Sequence, residues 1–345
     1  MTLHTEQAAV IGRAREIIEL NNAYTRSKVL HSAVELGVFT TLAEAPATET
    51  ELRAALGLHP RLARDFLDAL VGLGLLERED GRYHNSELAR EHLVPGVAFF
   101  LGGVVARSAS HHYRMWGRLT EALRDGKPKS EGLGGSNAFK EKYSDPNLIR
   151  QLLAHMDSYN SYTGVEIART VDWSGYRDFV DAGGARGNVA CQLVRRYPHL
   201  TGTVFELPPL EPYFEEHVRK HDLADQLSFA GGDFFSDPLP ETDVVIIGHV
   251  LHDWPEQARA ELLAKIFPSV RPGGCLLVYD QMLDDEHGDA HNSLASLNVR
   301  LVREGGSEYS AKECGQWAEK AGFTVREVIP LNTIAHDRLL VADKR

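Results

Sequence analysis

The apolar positions of the first ninety residues recur at helical spacing. Val29, Leu30, Ala33, Val34 and Leu36 form one helical face that Gly37 ends. Thr48 or Thr50 caps a short helix over Glu51–Leu56, which stops at Gly57. A third helix over residues 61–71 turns Phe66, Leu67, Leu70 and Val71 inward, with Gly72 and Gly74 marking its end. Leu75–Glu77 and Arg82–Tyr83, joined by Asp80-Gly81, predict two short strands around a tight turn. Three helices and a hairpin make a winged-helix pattern. A helix-rich stretch follows over residues 97–165, broken by a loop at Pro128–Asn137.

Beyond Gly175 the pattern changes to short apolar runs alternating with amphipathic helices. Strands are predicted at Asp178–Asp181, Thr201–Glu206, Leu227–Ala230, Asp243–Gly248, Cys275–Asp280, Thr324–Ile329 and Arg338–Ala342. Helices are predicted at Asn188–Tyr197, Gln257–Phe267 and Ala311–Ala321. The run Val244-Val245-Ile246-Ile247 suits a strand buried on both faces. Such alternation predicts an α/β fold, a Rossmann-like doubly wound sheet preceded by a mainly helical winged-helix domain. The domain boundaries read as 1–96 for a dimerisation domain, 97–170 for a helical linker over the active site, and 171–345 for the α/β domain.

Charge changes the reading of the first domain. Lys and Arg total 37 against 49 Asp and Glu, a formal net charge of −12. The would-be DNA-reading helix, residues 61–74, sets Arg61 and Arg64 against Asp65 and Asp68. A phosphate-contacting helix needs a basic surplus, so packing or dimerisation fits better than nucleic acid. Residues 1–24 hold no continuous apolar segment, and no run approaches a membrane span, so neither a signal peptide nor a membrane partner is expected. Cys191, Cys275 and Cys314 are scattered, without zinc spacing, and fit a reduced, cytoplasmic setting.

Ligands of doubly wound sheets sit at the C-terminal ends of the strands, where the unusual residues of this chain cluster. The first strand runs into Asp181-Ala182-Gly183-Gly184-Ala185-Arg186-Gly187, where Gly183, Gly184 and Gly187 allow close backbone approach. Glu206 closes the second strand and can accept from both hydroxyls of a ribose. Asp233 and Phe234 follow the third and offer an adenine an acceptor and an apolar wall. Gly248 closes the fourth and belongs with this set. A nicotinamide dinucleotide would require G-x-G-x-x-G, and Asp181 would repel its pyrophosphate. The same carboxylate suits the ammonium of a methionine moiety, which points to S-adenosylmethionine.

After the fourth strand come His252-Asp253-Trp254, then Pro272-Gly273-Gly274 before the fifth, and Gly305-Gly306-Ser307-Glu308 before the late helix. With the glycine loop and the winged-helix module, these motifs resemble small-molecule O-methyltransferases over almost the whole chain. That family includes plant phenolic methyltransferases and bacterial natural-product tailoring enzymes. The resemblance implies His252 as general base, flanked by Asp280 and Glu308. Asp280 stands where the family commonly has glutamate. His249 is expected to point elsewhere, in a structural role. The implied partners are a small-molecule acceptor, in secondary-metabolite biosynthesis, and a second copy of the chain.

One segment departs from the family pattern. Residues 289–304 should cover the acceptor and be mainly apolar, yet they carry His291, Arg300 and Arg303. Either these are surface groups, with Arg300 paired to an acid, or Arg300 clamps a substrate carboxylate. In the second reading His252 and His291, with Asp253 or Asp280, hold iron or zinc. A 2-oxo acid could then be methylated on carbon through its metal-held enolate. A non-enzymatic, ligand-sensing winged-helix regulator is a third class, opposed by the intact His252 motif and its acids.

Overall fold

The computed structural model describes residues 3–130, 143–284 and 288–345. Two compact units emerge, Met1–Ser110 and His111–Arg345. Residues 131–137 of the expected loop lie outside the described residues.

In the first unit a long helix, Leu3–Leu36, precedes helices at Val38–Glu44, Glu49–Leu56 and Pro60–Gly72. Thr48 caps the third through a reciprocal box with Glu51, and Pro60 starts the fourth with its fixed φ. β2 (Leu76–Glu79) and β3 (Arg82–Asn85) form the expected hairpin, and β1 (Ala47–Thr48) joins it in the antiparallel order β1-β3-β2. Phe39, Leu52, Leu67, Leu70 and Tyr83 bury between them, at roughly 1.5–3 kcal/mol for each large apolar side chain. Arg64 and Arg78 pair with Asp68, and Arg82 with Glu51. Basic side chains of the wing and its helix are thus spent on acids within the unit. The first helix instead exposes apolar side chains: Val10, Ile17, Ile18 and Leu20 are 56, 66, 58 and 74% accessible.

In the second unit seven strands form one sheet in the order β6-β5-β4-β7-β8-β10-β9. They are β4 (Asp178–Ala182), β5 (Thr201–Glu206), β6 (Leu227–Gly231), β7 (Thr242–Gly248), β8 (Val270–Asp280), β9 (Thr324–Pro330) and β10 (Arg338–Asp343). β4 to β8 run parallel, and β10 pairs antiparallel with both β8 and β9. Alternate residues serve opposite faces: Val244 and Ile246 enter one core cluster, Val245 and Ile247 the other. Strand order reverses between β4 and β7, which opens a crevice at their C-terminal ends. Among the described residues no helix is long and apolar enough to cross a membrane. All three cysteines are free and buried.

Candidate active site

The β4 turn places a carboxylate and a bare backbone together. Asp181 is 2% exposed, and its Oδ2 has no hydrogen-bond partner. Gly183 adopts φ 77°, a conformation that costs glycine little. A Cβ on Gly184 would lie 2.4 Å from the Asp181 carboxyl group. One on Gly183 would meet Val250 at 2.8 Å and Phe234 at 3.6 Å, so the segment after β6 reaches the glycine loop. Gly187 starts the helix Asn188–Arg196 and packs under Phe214. Asp233 folds its own turn by accepting from the Phe235 amide at 3.0 Å.

Glu206, at the end of β5, accepts from the Tyr143 hydroxyl at 3.4 Å and from the Leu207 amide. Burial pushes both Asp181 and Glu206 up to about 7, and neither has a cation beside it among the described residues. Two buried carboxylates without a cation among the described residues, next to a glycine-rich loop, suit a ligand that brings an ammonium and hydroxyl donors. S-adenosylmethionine carries both. Gly248 has a packing reason of its own, because a Cβ there would lie 1.9 Å from the Tyr279 ring.

The turn after β7 carries His252. Its Nδ1 lies 2.8 Å from Asp280, at the end of β8, and 2.9 Å from Glu308, in the loop before the helix Ala311–Ala321. Both carboxylates are buried. Burial opposes charge on the imidazole, but Asp280 and Glu308 outweigh it and raise the ring's pKa well above the ordinary value. Burial in turn pushes Glu308 up. Tyr309 donates to the second Asp280 oxygen at 2.5 Å, which fixes that carboxylate. The Ser307 amide donates to the His252 carbonyl at 2.9 Å, and Arg259 donates to the carbonyls of Trp254 and Ser307 at 2.7 Å each. These bonds lock the His252 turn to the Glu308 loop. Tyr143, Tyr309 and Arg259 carry no motif that marks them in the sequence.

The metal set of His252 and His291 with Asp253 or Asp280 is not assembled among the described residues: Asp280 meets His252, but His291 does not join them. Asp253 faces Arg303 at 2.5 Å, so its charge is already used. His291 is exposed in the first turn of the helix Ala290–Val302, and its ring stacks on His336 at 4.3 Å. The grouping of ligand-type side chains found among the described residues is His252, Asp280 and Glu308. Metal-assisted C-methylation therefore loses its proposed ligands. Arg300 is exposed and makes no ion pair among the described residues; Arg303 is the paired arginine of that segment. His249 stays beside the site, its ring stacked on that of His252 with centroids 6.0 Å apart.

Comparison with known proteins places the chain in a family. A family described as an O-methyltransferase domain matches residues 116–324, and one described as an O-methyltransferase dimerisation domain matches residues 18–95. The chain is 45% identical to the N,N-dimethyltransferase OxyT of Streptomyces rimosus, over 99% of each. It is 46% identical to the tetracenomycin polyketide synthesis 8-O-methyl transferase TcmO of Streptomyces glaucescens, over 94% of each. The crystal structure of human N-acetylserotonin methyltransferase in complex with SAM superimposes with a TM-score of 0.87 at 30% identity, covering 96% of this chain and 97% of that one. The chain belongs to the O-methyltransferase family: it is an S-adenosylmethionine-dependent methyltransferase that carries the family's dimerisation domain ahead of its catalytic domain.

Proposed function

We propose that the protein methylates a hydroxyl group of a polycyclic, polyketide-type small molecule in secondary-metabolite biosynthesis, with His252 as general base. The observation that carries this reading is the imidazole of His252 held by two buried carboxylates, 2.8 and 2.9 Å from its Nδ1. With Nδ1 engaged, Nε2 is the nitrogen left to take a proton from the acceptor. S-adenosylmethionine, when bound, supplies an activated sulfonium methyl. Asp181 would accept from its ammonium, Glu206 from its ribose hydroxyls, and Asp233 with Phe234 would face its adenine. Gly183, Gly184, Gly187 and Gly248 would leave room for it. Positioning provides much of the rate gain, and proton removal from a neutral hydroxyl adds about 10²–10⁴-fold.

Oxygen is favoured over nitrogen because a hydroxyl must shed its proton to become a good nucleophile, whereas a neutral amine already is one. The acceptor class is carried over from TcmO, a polyketide-pathway relative. The test uses labelled S-adenosylmethionine with a panel of polycyclic aromatics bearing phenols, amines or both. Label on phenolic oxygen supports the reading, and label only on nitrogen overturns it. The chain would act as a homodimer, supported by the exposed apolar side chains of its first helix and the matched dimerisation domain. Light scattering should report twice the chain mass at micromolar concentration; a monomer would refute the dimer.

A further inference from the structure

Two carboxylates on one imidazole favour its protonated form, and a protonated ring accepts no proton. A positive charge beside His252 would counter them, and His249 is placed to supply it. Its backbone takes the left-handed φ of 52°, uncommon for a residue with a Cβ, while its amide donates to the Tyr279 carbonyl at 3.0 Å. This turn lays its ring on that of His252, with an interplanar angle of 25°. Nε2 of His249 lies 2.8 Å from Asp337, a fully buried carboxylate from the turn before β10. The hydroxyls of Thr163 and Thr333 donate to the other Asp337 oxygen at 3.2 and 2.8 Å.

The titratable and charged groups facing His249 come from several elements. They include Asp337, Tyr159 of the helix Pro146–Thr170, Tyr279 with Asp280 of β8, and His252 itself, with Glu308 of the late loop also within electrostatic reach. Burial, and to a smaller degree His252, oppose charge on His249, but Asp337 and then Asp280 outweigh them and raise its pKa. Burial likewise opposes charge on Asp337, and His249 with the two threonines overcomes it. A proton on His249 would make the pair an ion pair with its positive end turned to the base.

We propose that His249, held as an imidazolium by Asp337, is a positioning residue for the base: its charge, stacked on His252, favours the neutral form of that ring and frees it to accept the acceptor's proton. The proposal rests on reading His252 as the base. A unit charge about 6 Å away at an effective dielectric near 20 moves a titration by on the order of two pH units, and the opposite charge on Asp337 reduces this to about one.

The test is an NMR titration of the full chain, reading the His252 ring signal, which is assigned by its loss in His252→Gln. His249→Asn removes the charge with a residue that tolerates left-handed backbone. His252 should then titrate about two pH units higher, because the Asp337 charge stays behind, and His249→Arg, which restores a cation, should bring it back. Asp337→Asn, which discharges His249, should move it upward as well and serves if His249→Asn does not fold. An unmoved titration in a folded neutral variant overturns the proposal, as does a shift that His249→Arg leaves uncorrected. Failure of the base reading would look different, since His252→Gln would then keep full methyl transfer whatever the titration shows.

Discussion

Two pairs of buried carboxylates sit at one edge of the same sheet, and they are completed in opposite ways. Asp181 and Glu206, at the ends of β4 and β5, have no cation beside them among the described residues, and burial pushes both up to about 7. Asp280 and Glu308, after β8 and in the late loop, close on His252 from within the fold. On the proposed reading the first pair is a receptor, completed by a ligand that brings positive charge and hydroxyl donors. The second is machinery assembled in advance, whose task is to hold one ring in one orientation. The difference explains why bridging bonds from Arg259, Ser307 and Tyr309 gather around the second pair. An orienting group must be rigid, whereas a receptor can be finished by what it binds.

The largest effect that would sharpen this contrast is expected at His252. His252→Gln should lower turnover about 10²–10⁴-fold while S-adenosylhomocysteine still binds, because the receptor pair is untouched. Next in size is the receptor itself, read by calorimetric titration with S-adenosylhomocysteine across pH. Glu206→Ala should weaken binding by about 1.5–3 kcal/mol, the usual value of a hydrogen bond to a charged group. In the wild type the sign follows from the raised carboxylates. Below about pH 7 Asp181 and Glu206 are largely protonated in the free protein and must release protons to bind. Affinity should therefore climb as pH rises to about 7 and level off above it. A flat profile would break the contrast. The smallest effects are expected at His291 and Arg300, both exposed. Alanine at either should stay within the roughly ±0.5 kcal/mol of an ordinary surface change, checked as kcat/KM and thermal midpoint. A large rise in KM for Arg300→Ala would revive the substrate clamp.

What could be read in advance follows from how local each signal is. Thr201–Glu206 and Ala311–Ala321 have the bounds expected of them, the latter because Ser310 and Glu313 form a capping box and Gly322 ends it at φ 112°. The helix Glu211–Lys220 escaped notice, since it buries little beyond Phe214, His217 and Val218. The first helix reads as a core element only from Val29 onward, because Val10, Ile11, Ile17, Ile18 and Leu20 are exposed rather than packed in the unit's own core. In the site, the glycine loop and the His252 turn are short motifs and legible as such. Asp280 and Glu308 were reached through family likeness, not spacing. His249 meets Asp337 across 88 residues, and Asp253 meets Arg303 rather than Arg300; neither pairing follows any local rule. Long-range ion pairs of this kind depend on the closed sheet.

The base is tested most directly by methyl transfer from His252→Gln as a function of pH, with saturating S-adenosylmethionine and a phenolic polycyclic acceptor. A phenol titrates near pH 10, so above that value the acceptor arrives already ionised and needs no base. The variant should therefore fall about 10²–10⁴-fold below the wild type at neutral pH and recover toward it as pH approaches 10. Wild-type turnover at neutral pH, or a deficit that stays constant across the whole range, would contradict His252 as the group that takes the proton.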